Sequence, residues 1–413
     1  MNRFLNQFRN EDWIATLIGA LLVVLVILTP NYIPVVPKTL ASGDAWLNLG
    51  GLFLLIGLLA AVGLKALGEN IKGFIPSFLA IFALAIFSQW IAEIAAIKYI
   101  GLESVFFSVA IGLIIRNIFG LPKWLAPAVR SEYFIKAGLV LLGTSVLFGN
   151  IMKEGALGMV QAIVVVFTVW YFSFWLAKKL KVDAEMGIMM ASAVSICGVS
   201  AAIATNGAIK GDPKKLSFVV SIVLVVAIPM MYLMPWLANL MGLSPEVAGA
   251  WMGGTIDTTG AVVAAGKFLG ETGETYSVII KSAQNVLLGV AAFAISIYWS
   301  YKGTNKTNGT RQHPTLGVLW ERFPKFVIGF LLASLVFSTA FGPAEAKALG
   351  STAKGLREML FSLAFVCIGL ETDFRTIFTK ENKKYITTFM VAQAFNVLVT
   401  LLMAYLLFGV LRS

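Results

Sequence analysis

Asp257 lies near the middle of the apolar stretch WMGGTIDTTGAVVAAG (251–266), among Gly253, Gly254, Gly260 and Gly266 and the hydroxyls of Thr255, Thr258 and Thr259. A carboxylate at membrane depth is costly, and such groups as a rule bind a proton, a cation or a partner charge. The alternative is structural: Asp257 caps a half-helix that begins at Thr258. Both readings interrupt the helix at the same place.

A second stretch, AVSICGVSAAIATNGAI (193–209), is built from the same small and polar residues but has no charge: Ser195, Cys197, Gly198, Ser200, Thr205 and Asn206. Small residues let helices approach closely in lipid, and hydroxyls can bond back to their own helix, so packing is one reading. The other is that the chain unwinds near Gly198, turning backbone N–H groups and the positive end of a half-helix toward an anion. Unwound backbone at that depth is tolerated only where protein buries it or it lines a cavity. A third stretch, VIIKSAQNVLLG (278–289), sets Lys281, Gln284 and Asn285 at i, i+3 and i+4, on one helix face. Lys281 either snorkels to the near surface or turns inward with the amides, where the face could ligate an oxyanion or Lys281 could neutralise Asp257.

Taken together, these residues describe a candidate site for a small anion. Ser195, Cys197, Gly198, Ser200, Thr255 and Thr259 would hold oxyanion oxygens, with Lys281, Gln284 and Asn285 supplying charge and amides. Asp257 and Thr258 would take a coupling H+ or Na+. Glu371 and Asp373, which end FVCIGLETDF, and the echoed Thr144 and Ser145 read as boundary groups rather than ligands.

The elements that must position this site are membrane helices. Of 413 residues 58% are hydrophobic and 13% charged, too few charges to cover a soluble globule of that size. Apolar windows of spanning length recur near 13–31, 48–68, 75–97, 102–119, 134–152, 157–177, 186–209, 216–241, 246–266, 275–300, 324–342, 356–374 and 386–411. The expected fold class is an all-α polytopic membrane protein with about eleven to thirteen segments, two of them discontinuous or re-entrant. It divides into additional N-terminal spans (1–70) and a transporter domain (71–413). Trp13 to Leu28 reads as an uncleaved first span, because no small-x-small cleavage site follows.

The net charge of +11 comes from Lys and Arg in the connectors, which fits positive-inside topology better than nucleic-acid binding. With the N-terminus inside, Lys65 and Lys72, Arg116 to Arg130, Lys178 to Lys181, Lys302 to Lys325 and Arg375 to Lys384 all fall inside. Lys210, Lys214 and Lys215 fall there only if 186–209 does not cross. A non-crossing 246–266 would then restore the parity downstream. Cys197 and Cys367 lie in apolar segments and support no disulfide framework, and the lone His313 has no partner for a metal site. No cofactor is expected. KAGLVLLGTSVLF (136–148) is echoed by SLAFVCIGLETDF (362–374), an odd number of segments away, which suggests antiparallel copies of the kind secondary transporters use.

SICGVSAAIAT, followed by GTIDTTGAVVAAG, with GLIIRN (112–117), LGTSVLF (142–148) and IGLETDF (368–374), resembles the YeiH-like sulfate exporter family of conserved bacterial membrane proteins over roughly 75–410. The resemblance implies a fold like that of the bile acid, arsenite and cation-antiporter transporters, with inverted repeats and a core moving against a scaffold. It also implies a multi-pass protein of the bacterial inner membrane and, by analogy of fold, a homodimer. Where many members carry a His-Glu pair, this chain has Asp257 and Thr258, and Ala261 stands at a later Gln position. A histidine-coupled proton step is therefore not implied for this chain.

The reading that joins these observations is a secondary transporter of a small inorganic or organic anion, and not an enzyme. The competing class, a cation/proton antiporter, needs carboxylates beside both broken segments, and 193–209 has none. An intramembrane metalloprotease would need H-E-x-x-H, and ATP drive would need G-x-x-x-x-G-K-[ST]; the sequence has neither.

Overall fold

The computed structural model describes residues 10–37, 42–94, 97, 104–146, 148–209, 211–301, 320, 323–374 and 382–411, and the described residues contain no strand. The chain separates into two compact units, residues 1–151 with 324–373, and residues 152–323 with 374–413. Lys210, His313, Arg375, Lys380 and most of the basic 300–323 connector lie outside the described residues.

The first unit contains α1 (Glu11–Leu28), α2 (Gly43–Ala66), α3 (Phe74–Glu93), α4 (Ser104–Ile114, continued by a π turn), α5 (Ser131–Leu142) and two later helices. Asn10 starts α1 by accepting from the Trp13 N–H at 2.8 Å, and Ser42 caps α2 by accepting from Ala45. The 134–152 window, expected as one segment, is instead the short α5, a 3₁₀ turn at Gly143–Ser145 and the start of a new helix at Phe148. The later helices of this unit are Lys325–Thr339 and Pro343–Glu371. Helix α5 and the helix Pro343–Glu371 lie side by side and run antiparallel: Ser131 bonds Glu371, Gly138 packs on Phe361, and a Cβ on Gly350 would sit 3.5 Å from the Thr144 carbonyl. Two of the quoted motifs also touch. Gly112 and Gly369 cross so closely that a Cβ on either would sit 2.8 Å from the other's Cα.

The second unit contains α6 (Phe148–Lys179) from Met152 onward, α7 (Ala184–Ser195), α8 (Val199–Ile209), α9 (Pro213–Leu240), α10 (Pro245–Thr255), α11 (Thr259–Lys267) and α12 (Gly270–Tyr301). After α13 (Lys325–Thr339) and α14 (Pro343–Glu371) of the first unit, α15 (Lys383–Ala404) completes it. Asp183, Asp212 and Ser244 accept backbone N–H groups at the starts of α7, α9 and α10, and Pro213 and Pro245 take first-turn positions whose N–H is not needed. Seven described helices are long and apolar enough to cross a membrane, α6, α9, α12 and α15 among them.

The two interrupted segments fold back on themselves. As a single helix, Ala184 to Ile209 would hold its ends about 38 Å apart at 1.5 Å per residue. Instead Lys215, just beyond α8, bonds Asp183 at 2.7 Å and Glu185 at 3.0 Å, at the start of α7. Helices α7 and α8 are thus the two arms of a hairpin whose tip is 196–198. The same holds for α10 and α11. The Gly273 carbonyl lies 2.7 Å from a Cβ built on Gly249, early in α10, and 3.1 Å from one built on Gly266, late in α11. The tip of this second hairpin is 256–258.

Helix α9 fixes how the hairpins face each other. It leaves the base of the first at Pro213 and reaches the base of the second at Leu240, while the tips reach its middle: Gly198 packs on Val223, and Gln393 bonds both Met230 and Thr255. The hairpins therefore enter from opposite ends of α9 and meet tip to tip. This also accounts for the lysines that a crossing segment would misplace. Lys214 and Lys215 remain on the side of Lys178 and Lys179, as the positive-inside rule requires.

Candidate functional site

The first tip forms because α7 cannot continue through Ile196 (φ −121°, ψ −87°) and Gly198 (φ +55°). The left-handed φ suits glycine, and a Cβ on Gly198 would also meet Val223 at 2.7 Å and the Asp257 carbonyl at 3.0 Å. The two tips touch at that contact. The second tip is extended at Ile256 and Thr258, and the Thr258 hydroxyl accepts the Ala261 N–H at 3.3 Å. Thr258, not Asp257, is therefore the cap, and α11 begins one residue later than the capping alternative places it.

With its capping role gone, the Asp257 carboxylate is fully buried, and no donor lies within hydrogen-bond distance of either oxygen. A buried carboxylate at membrane depth is costly unless it is paired, protonated or bound to a cation.

Each outgoing arm, α7 and α10, ends in carbonyls that have no partner within their own helix. Side chains from α12 and α15 supply the donors. Lys281 Nζ donates to the Ile196 carbonyl at 2.7 Å and to Gln284 Oε1 at 2.8 Å. Gln284 Nε2 donates to the carbonyls of Ser195 (2.9 Å) and Gly254 (3.1 Å), joining both hairpins. Asn396 Nδ2 does the same for Val194 (3.0 Å) and Thr255 (3.1 Å), and Gln393 Nε2 adds a bond to Thr255 at 3.0 Å.

Each returning arm starts where its first N–H groups have no carbonyl one turn back, the positive end of a short dipole. Val199 and Ser200 on α8 and Thr259 on α11 are half-buried, whereas the tips behind them are closed. Asn285 donates to the Thr259 hydroxyl at 3.4 Å and has a buried Oδ1 without a donor.

The residues singled out from sequence are thus brought to one place, but not all in the expected roles. Ser195 and Thr255 turn their hydroxyls back to the carbonyls of Ser192 (3.4 Å) and Trp251 (2.6 Å), so they offer carbonyls at the tips and no hydroxyls. Ser200 and Thr259 are half-buried. Cys197 is buried in an apolar cluster with Ile196, Ala201, Ala204, Val166 and Leu288. Lys281 does not snorkel: it is 1% exposed and turned inward. Glu371 and Asp373 belong to the first unit, where Glu371 accepts from the Ser131 N–H and hydroxyl and Asp373 pairs with Arg116 at 3.4 Å.

A family model described as conserved hypothetical protein 698 matches residues 76–388. The chain belongs to this family. Among curated relatives, a UPF0324 membrane protein of Rhodopirellula baltica is 38% identical over 381 residues, covering 90% of this chain and 69% of that protein. A UPF0324 membrane protein of Nitratidesulfovibrio vulgaris is 38% identical over 376 residues, covering 87% of this chain and 64% of that protein. One of Nitrosomonas europaea is 31% identical over 303 residues, covering 64% of this chain and 60% of that protein. No solved structure matches the chain. This conserved hypothetical protein 698 member is a multi-pass bacterial membrane protein, as its motifs lead one to expect. None of these names states a substrate.

Sequence reasoning missed Gln393 and Asn396, which in this family member tie the second tip to α15. The signal was present: two amides at i and i+3, with Thr400 one turn further, inside an otherwise apolar span. An amide at that depth has the same claim to a partner as a charge. Gln161, buried on α6 and bonded to the Ala250 carbonyl at 2.8 Å, is a further example.

Proposed function

We propose that this chain is a secondary active transporter of a small anion of the sulfate or sulfonate class, working by alternating access and coupled to H+ or Na+ through Asp257. The observation that carries the reading is the meeting of two opposed hairpins at Gly198 and Asp257, with a buried carboxylate at the contact. Opposed hairpins entering from the two ends of α9 are what an inverted-topology carrier needs to expose one site to each side in turn. The anion is held at the starts of α8 and α11, by the N–H groups near Ser200 and Thr259, their hydroxyls and Asn285. It acts as a carrier and not as an enzyme.

Asp257 supplies the coupling. Two like charges 4 Å apart repel by about 4 kcal/mol at an effective dielectric of 20, so an anion enters beside Asp257 only when the carboxylate is neutralised. Substrate and coupling ion then load together.

The test is uptake of labelled sulfate, with sulfite and a small sulfonate as competitors, into proteoliposomes holding the purified protein, with and without an imposed pH or Na+ gradient. Gradient-driven uptake is expected in the wild type and is expected to be abolished in Asp257→Asn. A cation/proton antiporter is the second reading, favoured by the carbonyls gathered at the tips. Cation-dependent proton movement without anion flux would establish it instead.

A further inference from the structure

Carriers that use Na+ hold it with unwound backbone carbonyls at the C-terminal ends of half-helices. The ends of α7 and α10 gather five such carbonyls, those of Val194, Ser195, Ile196, Gly254 and Thr255, and every one already accepts a bond from a side-chain donor. Four of the five take theirs from neutral amides. Ile196 takes its bond from an ammonium.

Two buried oxygens hold the ammonium. Ile196 is the residue that ends α7, so its carbonyl lies at the negative end of that dipole. Gln284 Oε1, the second oxygen on Nζ, cannot turn away, because its Nε2 is held by carbonyls of both hairpins. A main-chain carbonyl and an amide oxygen, both buried, are ligands of the kind a hard monovalent cation takes.

We infer that the Lys281 ammonium is a resident cation at the hairpin crossing, occupying the place that Na+ would take, so that Na+ is not the coupling ion and H+ is. Lys281 is then a specificity-determining residue: its tethered charge excludes free Na+. Removing the ammonium while keeping the stem leaves the Ile196 carbonyl and Gln284 Oε1 beside a vacated position that Na+ can fill. The inference rests on the reading of the tips as a transport site.

The experiment is thermal unfolding of the purified full-length protein in NaCl, KCl and choline chloride at equal ionic strength. Stability is the readout, so it does not depend on which anion moves. The wild-type midpoint is expected to be the same in the three salts, and Lys281→Met is expected to unfold at a higher temperature in NaCl than in the other two. Lys281→Gln, which keeps a donor for the Ile196 carbonyl, is measured beside it in case the Met variant does not fold, and the same Na+-specific rise is expected. An Na+-specific rise in the wild type overturns the inference, and so does a folded variant indifferent to Na+. Absence of anion flux in proteoliposomes, with these salt responses intact, would sink the transporter reading and leave the cation site standing.

Discussion

The two hairpins have the same outline and are held by different forces. The first is tied at its ends: Lys215 bridges Asp183 and Glu185 at the base, and Lys281, Gln284 and Asn396 bond its tip. The second is packed along its length, with Gly249, Gly253 and Gly266 letting α10 and α11 lie against the backbone of α12. Both tips take side-chain hydrogen bonds; the first hairpin adds a charged clamp at its base, the second close backbone contact along its length. A helix hairpin therefore needs no single sequence signature, since either device overcomes the cost of turning the chain back inside a membrane. The carboxylate belongs to the hairpin that is packed throughout, where a buried charge is held in place by its surroundings.

Overfilling the packed hairpin should have the largest effect. A Cβ at Gly253 already meets the Ser277 carbonyl at 2.5 Å and Ile280 Cβ at 2.9 Å. Gly253→Val is expected to cost roughly 3 kcal/mol or more and to lower the unfolding midpoint sharply or abolish expression. Gly50→Ala, where nothing lies within 4 Å, is expected to leave the midpoint unchanged or raise it. Equal effects at the two positions would break the comparison.

At the tip of the first hairpin, Gly198→Ala combines a left-handed φ with the contact to Val223, and a loss of about 2 kcal/mol is expected. Denaturant unfolding measures it. Asn396→Ala withdraws a donor shared by Val194 and Thr255, one carbonyl from each hairpin. Its cost should be about 1–3 kcal/mol. The double variant with Gln284→Ala sharpens the comparison, because both amides join the same two tips: a loss different from the sum of the single losses marks them as one network.

The base of the first hairpin should matter least. Desolvation pushes the Asp183 carboxyl up, but the hydrogen bond from Lys215 and those from backbone N–H groups outweigh it and leave the group below its ordinary 3.8. A lowered folded value means that the pair stabilises above that pH and loses its contribution as pH falls through the folded value. Lys215→Ala is expected to cost about 0.2–1 kcal/mol at neutral pH, and the difference from wild type should vanish in acid. A pH-independent difference would assign Lys215 a packing role instead.

Much of this was legible without coordinates. Helix positions followed from apolar length, because a chain in lipid must satisfy its backbone within each segment. Asp257 and Lys281 were legible because a charge at that depth is rare and costly. The lysines at 210–215 posed the question of re-entry, since charge bias counts crossings and not shapes. What composition and spacing could not decide was the fold-back of each arm, which rests on contacts such as Lys215 with Asp183 and Gly249 and Gly266 with Gly273. Nor could they decide that Ser195 and Thr255 face their own helices, that Thr258 is the cap, or that Gln393 and Asn396 belong to the tips. Hydroxyls and amides bond within a helix as readily as across one, and only the neighbours that tertiary structure brings within about 3 Å settle which bond is made.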